Sequence, residues 1–386
     1  MSLPWVQLVS AEVLSRVDDV RVFDLRSPSE YAEDRLWNAQ NLPLFDDMER
    51  AIVGTLYSKE SPETAFMRGL EFVKKNLPAM LEVLLEEDCP AHEVWQSQLE
   101  ELGADFGARI KEAPRKAALR APQSGDLVLY CWRGGMRSRS VALLLNALGF
   151  DHVFVLEGGY KAYRNWVRDK LDNLSENMPL LVLRGMTGVG KTEVLQALEA
   201  AQPGSTIDLE GLAQHRSSIL GAVGLEPHSQ KYFETLLVRR LRQLGPQPWF
   251  IEAESRKVGN IILPNSLYRA LKKGRHVVLD APLSYRVQRL GKEYRASSTW
   301  QADVAAQLPF LEERLGKKWQ GVLSALLEND EWEQVTELLL THYYDQRYGK
   351  TLNNPAPERT YDVRAPDLCR RLLDFRAEAE PVSSVP

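Results

Sequence analysis

The chain has 386 residues, of which 44% are hydrophobic and 26% charged, and its formal net charge is −5. This length and balance predict a globular protein with two domains, each large enough to bury a core of its own. No stretch approaches the roughly 20 uninterrupted apolar residues of a membrane helix, so we expect no membrane partner.

Three cysteines, Cys89, Cys131 and Cys369, lie far apart and lack the spacing of metal ligands. We therefore expect no zinc site, and neither haem nor flavin as a cofactor. A sparse and odd set of cysteines is typical of a reducing compartment. Because the first ten residues contain neither a basic leader nor a long apolar run, we expect a cytoplasmic protein.

The charge is unevenly distributed along the chain. Residues 1–100 contain 9 Lys and Arg against 19 Asp and Glu, whereas residues 269–295 contain 8 against 2. Such a basic stretch is either a surface for nucleic acid or a set of solvated helix faces, and charge alone favours neither.

In chain order, the first predicted elements are a strand at 20–26, an apolar segment at 41–44 and a long helical stretch at about 49–119. Strands at 126–130 and 153–156 then alternate with helices at 138–148 and 160–171. Further strands are predicted at 180–183, 206–207, 249–251 and 276–279. Strands that alternate with helices indicate an α/β fold with parallel sheets.

A polar stretch that ends in Pro179 predicts the boundary between two domains. The first domain covers 1–172 and includes a helical insertion at about 46–122. The second covers 178–352, and residues 353–386 form a C-terminal tail rich in proline and charge.

Cys131 opens a loop between a predicted strand and a predicted helix. Backbone N–H groups at the positive end of that helix stabilise a thiolate. Gly134 and Gly135 allow the loop to curl around an anion, and Arg133 and Arg137 add positive charge. The pattern predicts that Cys131 and Arg137 are catalytic; the alternative is a structural cysteine buried at a strand end.

These residues resemble the rhodanese superfamily. The segment 23–31 is similar to the opening motif of that family, in which an aspartate and an arginine, here Asp24 and Arg26, brace the active-site loop. The segment 156–160 is similar to the closing motif. The resemblance implies that the N-terminal domain is a rhodanese-like parallel sheet.

The spacing in the loop departs from the pattern of thiosulfate rhodaneses. Arg137 lies six residues after Cys131 rather than five, which is also the spacing in protein tyrosine phosphatases. A wider loop favours an anion that carries a phosphate. A phosphatase is therefore an alternative, although those enzymes usually place His where this chain has Tyr130.

Residues 185–192 match the complete P-loop pattern, between a hydrophobic strand and a helix. The pattern assigns phosphate binding to Gly185, Gly188 and Gly190 in the loop, followed by Lys191 and Thr192. Backbone N–H groups hold the phosphates and Lys191 adds a point charge. The C-terminal domain is thus predicted to be a P-loop NTPase-like parallel sheet.

A P-loop also predicts Mg²⁺, held by the hydroxyl of Thr192 and by a second carboxylate. Glu252 is our first candidate for that carboxylate, and Glu254 and Asp280 are the alternatives, because each lies near the end of a predicted strand. Each could equally be a helix cap or an ion-pair partner. The sequence lacks the Asn-Lys-x-Asp motif that would indicate a GTPase.

A rhodanese-like loop that reads Cys-Trp-Arg-Gly-Gly-Met-Arg-Ser, followed by a P-loop domain in one chain, resembles the tRNA 2-selenouridine synthase family. Further segments similar to that family lie at 46–57, 208–216, 230–234, 254–256 and 343–345, with Ser217 where we expect glycine.

The resemblance implies that the substrate is tRNA with a wobble 2-thiouridine, whose sulfur is geranylated by geranyl diphosphate and then replaced by selenium from selenophosphate. It implies that Cys131 carries the selenium as a selenylsulfide and that the P-loop holds the diphosphate. The enzyme that produces selenophosphate is the expected protein partner.

Two other functions remain open at this point. The chain could be a P-loop kinase or ATPase with a regulatory rhodanese-like or phosphatase-like domain. It could also be a binding module in which Cys131 is inert.

Overall fold

The computed structural model describes residues 6–86, 115–117, 120–348 and 355–379. The chain divides into two compact units, Met1–Asp169 and Lys170–Pro386. Each unit contains one parallel β-sheet, which confirms the predicted α/β class. Cys89 and residues 87–114 of the predicted insertion lie outside the described residues.

The first unit has a parallel six-stranded sheet in the order β3-β2-β5-β6-β1-β4. Its strands are β1 (Val6–Val9), β2 (Arg21–Asp24), β3 (Ala39–Asn41), β4 (Arg115–Ala117), β5 (Leu127–Tyr130) and β6 (Val153–Leu156). All residues of β5 and β6 are buried. Burial on both faces explains why these strands are continuous hydrophobic runs in the sequence.

The helices of this unit are α1 (Ala11–Leu14), α2 (Pro28–Glu33), α3 (Asp47–Lys59), α4 (Pro62–Leu85), α5 (Met136–Ala147) and α6 (Gly159–Asp172), the last of which runs beyond the unit. Leu77, Leu81 and Leu84 of α4 join the core that contains Leu129 of β5. The inserted helices therefore contribute to the core of this unit.

The sequence predicted helix as far as residue 119, but Arg115–Ala117 forms an edge strand that pairs with β1. Neither β1 nor β4 was predicted as a strand. Segments this short show no clear periodicity, and their pairing joins residues that are far apart in the chain.

The second unit has a parallel five-stranded sheet in the order β13-β12-β7-β9-β8, and a separate two-stranded antiparallel hairpin. The sheet strands are β7 (Leu180–Arg184), β8 (Thr206–Ile207), β9 (Trp249–Glu252), β12 (Arg275–Asp280) and β13 (Arg359–Asp362). The hairpin consists of β10 (Lys257–Val258) and β11 (Ile261–Ile262).

The first helices of this unit are α7 (Lys191–Ala201), α8 (Leu209–Ala213), α9 (Gln230–Arg242), α10 (Asn265–Lys273) and α11 (Leu283–Tyr294). They are followed by α12 (Trp300–Leu315), α13 (Val322–Glu328), α14 (Trp332–Leu339), α15 (Asp345–Tyr348) and α16 (Leu368–Ala377). A 3₁₀ turn covers Lys317–Trp319 and a π-helical turn covers Leu340–Tyr344. None of the helices in the described ranges has the length and apolar character needed to span a bilayer.

Residues that the sequence assigned to a C-terminal tail belong to this second unit. Strand β13 pairs with β12 along its whole length, and Leu372 and Phe375 of α16 are buried with Leu195 and Leu198 of α7. The prediction failed because Tyr361 is the single buried residue of β13, so the strand lacks an apolar pattern.

Candidate functional site

The three rhodanese-like motifs meet at the carboxyl edge of the first sheet. Asp24 ends β2, Cys131 follows β5, and Gly158 and Gly159 follow β6. These three strands are adjacent and parallel, so their carboxyl ends lie at one edge. Such edges are where α/β folds bind their ligands.

Cys131 is buried, and its sulfur lies 3.2 Å from the hydroxyl oxygen of Ser138. Ser138 belongs to the first turn of α5, which begins directly after Gly135. The sulfur therefore lies against the N-terminal, positive end of a helix.

Two glycines allow the closing motif to approach the cysteine loop. Gly134 has φ of +59° and Gly159 has φ of +60°. A β-carbon on Gly159 would lie 2.3 Å from the carbonyl oxygen of Cys131 and 2.3 Å from the backbone nitrogen of Gly134. Any side chain at Gly159 would therefore push the loop out of place. Gly135 has φ of −97°, a value that other residues also adopt.

Asp24 and Arg26 form a buried ion pair beneath this loop. The guanidinium of Arg26 donates to both carboxylate oxygens of Asp24, at 2.6 Å to Oδ2. It also lies 3.9 Å from the ring centre of Tyr160. The backbone N–H of Tyr160 donates in turn to the carbonyl of Cys131 at 2.9 Å. The pair thus braces the loop through Tyr160.

The electrostatics of this brace favour charge on Arg26. Burial opposes that charge, but the hydrogen bonds and the negative charge of Asp24 outweigh it, so the pKa of Arg26 lies above its ordinary value. Burial and the neighbouring Asp34 raise the pKa of Tyr160, whose hydroxyl donates to Asp34 at 2.8 Å. We did not predict a role for Asp34 or Tyr160, because nothing in their spacing links them to Arg26.

The two predicted loop arginines differ in their surroundings. Arg133 is exposed. Arg137 lies 3.4 Å from a carboxylate oxygen of Glu30, which also forms the capping box of α2 with Ser27. Arg137 thus has a carboxylate neighbour that the sequence did not predict, and its catalytic role stays a prediction.

The P-loop has the predicted strand–loop–helix setting. It follows β7, the central strand of the second sheet, and α7 begins at Lys191. Gly188 and Gly190 have φ of +80° and +99°. A β-carbon on Gly185 would lie 2.7 Å from the carbonyl oxygen of Leu279. The glycines therefore occupy positions that a side chain would strain or obstruct.

Glu210 is the carboxylate that contacts Thr192. Its Oε2 accepts a hydrogen bond from the Thr192 hydroxyl at 3.3 Å, and its backbone N–H donates to Glu252 at 2.7 Å. Glu252, our first candidate for the metal, is fully buried and contacts the backbone of Glu210. We missed Glu210 although it lies near the end of a predicted strand, as Glu252 does, and this position in the sequence could have marked it as a further candidate.

The carboxylates near the P-loop disfavour one another's negative charge. Burial and the neighbouring Glu254 raise the pKa of Glu210 to about 8, against the attraction of Lys191. Burial and then Asp208 raise the pKa of Glu252. A cation bound beside Glu210 would relieve this repulsion.

A magnesium ion fits these residues only if a bound phosphate ligand supplies further oxygen atoms. Thr192 and Glu210 would hold it, since their oxygen atoms lie side by side. The described part of the chain contains no group of three or more His, Cys, Asp or Glu residues suited to a metal. Phosphate oxygens and water would complete the coordination, as is usual for Mg²⁺.

Two arginines of α11 contact the P-loop and the helix that follows it. Arg286 pairs with Asp345 at 2.9 and 2.8 Å and donates to the carbonyl of Thr187 at 3.2 Å. Arg289 donates to Glu193 at 2.9 Å. These arginines are therefore not a simple solvated helix face.

Ser217 adopts φ of +53°, in the left-handed region. This conformation explains why glycine is the residue expected there.

Family models match most of the chain. The model described as "tRNA 2-selenouridine synthase AAA domain" matches residues 178–369, and that of the "Rhodanese-like domain" matches residues 91–165. A tRNA 2-selenouridine synthase from Aeromonas salmonicida (strain A449) is 31% identical over 96% of this chain and 97% of its own length. The chain belongs to the tRNA 2-selenouridine synthase family.

Other members of this family align over less of their length. The tRNA 2-selenouridine synthases from Nitrosomonas europaea and Nitrosomonas eutropha are each 32% identical over 72% of this chain. The chain spans 64% and 63% of those two relatives. One from Shewanella piezotolerans (strain WP3 / JCM 13877) is 29% identical over 91% of this chain and 94% of its own length.

Proposed function

We propose that this protein modifies tRNA by converting wobble 2-thiouridine to 2-selenouridine, through sulfur geranylation by geranyl diphosphate and selenium transfer from selenophosphate. The observation that carries the proposal is the pairing, in one member of this family, of a cysteine at a helix N-terminus with a P-loop. The first suits a selenium carrier and the second suits a diphosphate.

In the first reaction, the sulfur of 2-thiouridine attacks the carbon that bears the diphosphate. The carbon–oxygen bond breaks, the electron pair leaves with the diphosphate, and the base loses its N3 proton. The backbone of Gly185–Thr192 and the charge of Lys191 would stabilise the departing diphosphate. A Mg²⁺ ion at Thr192 and Glu210 would neutralise further negative charge.

The geranyl chain requires apolar surroundings next to the P-loop. A narrow cavity of about 20 Å³ borders Thr187 and is lined mainly by apolar side chains, among them Leu220, Leu290 and Leu339. The π-helical turn Leu340–Tyr344 lies along the same cavity, and such turns are frequent at functional sites. The cavity must widen to admit a geranyl chain.

In the second reaction, the thiolate of Cys131 attacks the selenium of selenophosphate. The selenium–phosphorus bond breaks with its electron pair on phosphorus, so phosphite is released and Cys131 becomes a selenylsulfide. That selenium then attacks C2 of the base and expels geranyl thiol. An external thiol attacks the sulfur of Cys131 in the sulfur–selenium bond, which frees selenouridine and leaves a mixed disulfide on Cys131. A second thiol then reduces this disulfide and restores the thiolate of Cys131.

The experiment that tests the proposal is a reconstitution with defined substrates. The purified protein is incubated with thiolated tRNA, geranyl diphosphate, selenophosphate, Mg²⁺ and a thiol, and the nucleosides are analysed by mass spectrometry. We expect selenouridine, and geranylated thiouridine when selenophosphate is omitted. Phosphorus NMR should detect phosphite; phosphate alone would mean that selenophosphate attacks the base directly. A requirement for ATP would favour the kinase or ATPase alternative.

Supply of selenophosphate is a further part of the proposal. Because this compound is readily hydrolysed, we propose that the enzyme that produces it is a protein partner.

A further inference from the structure

Trp132 is an exposed aromatic residue directly beside the buried Cys131. Its side chain is 38% exposed, and its ring centre lies 5.3 Å from that of Tyr160, with 34° between the planes. The carbonyl of Trp132 accepts a hydrogen bond from the backbone N–H of Lys161 at 3.0 Å.

Tyr160, against which the Trp132 ring packs, is itself held by two contacts. Tyr160 is buried, donates its hydroxyl hydrogen to Asp34 and lies under the guanidinium of Arg26. The indole of Trp132 is therefore held in place at the rim of the cysteine loop, with one face supported. A fixed aromatic side chain loses little entropy when a flat ligand stacks on it.

A row of basic residues runs along α6 and begins at Lys161, whose backbone contacts Trp132. Lys161, Arg164 and Arg168 are three and four positions apart, so they share one face of the helix. Lys161 and Arg168 are exposed and Arg164 is half-buried. Arg133, also exposed, follows Trp132 in the loop.

We infer that Trp132 and the basic row, defined as Lys161, Arg164 and Arg168, form the surface on which this domain binds tRNA. The indole stacks on a nucleobase at the entrance to Cys131, and the basic row contacts phosphates of the adjoining backbone. This inference rests on the proposed function, because it assigns to the tRNA a place on the protein.

An exposed aromatic ring beside a row of basic residues favours single-stranded RNA over an apolar protein as the ligand of this surface. Splayed bases in RNA loops are recognised by stacking on aromatic side chains, while cations follow the backbone. A wobble base lies in such a loop. An apolar partner would need a broader hydrophobic patch than one indole flanked by charges.

The test is the affinity of the full protein for an anticodon stem-loop that contains 2-thiouridine. In Trp132→Ala the affinity should fall about five- to a hundredfold, the effect of losing one stacked base, and Trp132→Phe should recover most of it. Tyr57→Ala, which removes an exposed aromatic side chain from α3, is the matched control and should bind like wild type.

Substitutions in the basic row should change the salt dependence of tRNA binding, which the Trp132 substitution should not. Lys161→Ala and Arg168→Ala should each reduce the slope of log affinity against log salt by about one, whereas Trp132→Ala should leave that slope unchanged. Lys59→Ala, in the last turn of α3, is the control. During turnover, Trp132→Ala should raise the KM for tRNA and leave the KM for selenophosphate unchanged. If the substitution instead collapsed the cysteine loop, both KM values would rise.

Wild-type affinity and salt slope in Trp132→Ala and Lys161→Ala would overturn this inference while leaving the proposed function intact. If the wild-type protein itself shows no preference for the stem-loop over an unrelated polyanion such as heparin, the inference and the proposed function both fail.

Discussion

Residues from distant parts of the chain surround Cys131 and fix its position. Ser138 and the first turn of α5 contact the sulfur side, while Tyr160 fixes the carbonyl of the same residue. Arg26, which is paired with Asp24, lies against the ring of Tyr160. The position of Cys131 is therefore set by the ends of three strands rather than by one loop.

Cys131→Ala should abolish the formation of selenouridine but leave geranylation of thiolated tRNA largely intact, because in the proposed mechanism the thiol takes part only in the selenium step. Mass analysis of the nucleosides with and without selenophosphate measures both reactions. Cys369→Ala is the matched control: this cysteine is half-buried, burial raises its pKa, and its sulfur lies 3.8 Å from the carbonyl of Ala197. Normal selenouridine from Cys131→Ala would exclude a covalent intermediate.

Arg137→Ala should weaken selenophosphate capture by about tenfold or more, since it removes a charged hydrogen bond of roughly 1.5–3 kcal/mol. The KM for selenophosphate is the quantity to measure. Glu30 distinguishes this role from a structural one, because its carboxylate partly neutralises Arg137. Glu30→Gln should lower that KM if Arg137 binds the anion. An unchanged or raised KM in Glu30→Gln would mean that the pair serves only to hold α2 and α5 together.

At the scale of the elements, the two candidate sites follow one rule. Each lies at the carboxyl end of an interior strand of its parallel sheet, β5 in the first and β7 in the second, and each is followed by a helix N-terminus. The sequence predicted both placements because the glycines and the hydrophobic strands are contiguous in the chain. It could not predict that Glu210 rather than Glu252 contacts Thr192, since that depends on the order of β8 and β9.

The same limit explains the elements that were missed. Strand β4 and strand β13 are short edge strands whose partners, β1 and β12, are distant in the chain. Their assignment depends on tertiary pairing, which local propensity does not report.

The brace between β2 and α6 leads to a prediction about stability. Arg26→Ala should lower the free energy of unfolding by about 3–5 kcal/mol, because it leaves the buried carboxylate of Asp24 without its cation. Urea unfolding followed by tryptophan fluorescence measures this change. The double variant Asp24→Asn/Arg26→Met should be less destabilised than Arg26→Ala. Equal losses in both variants would show that packing against Tyr160, and not the ion pair, is what matters.

At the scale of the whole molecule, the proposed function assigns its two reactions to different compact units. Cys131, the proposed acceptor of selenium, lies in the first unit, and the P-loop, the proposed diphosphate site, lies in the second. In this proposal, geranylated tRNA is the product of one reaction and the substrate of the other. If a P-loop variant fails to geranylate tRNA, added tRNA that is already geranylated should therefore restore the formation of selenouridine.

Lys191→Ala is the variant that tests this separation. It should reduce geranylation of thiolated tRNA by on the order of 2–4 kcal/mol of activation free energy, because it removes a preorganised charge from the departing diphosphate. Selenouridine formation from thiolated tRNA should fall equally. With pre-geranylated tRNA and selenophosphate, the variant should make selenouridine at the wild-type rate, since the Cys131 loop is unchanged. A variant that stays inactive on pre-geranylated tRNA would show that the P-loop also serves the selenium step, and the division of tasks between the two units would be wrong.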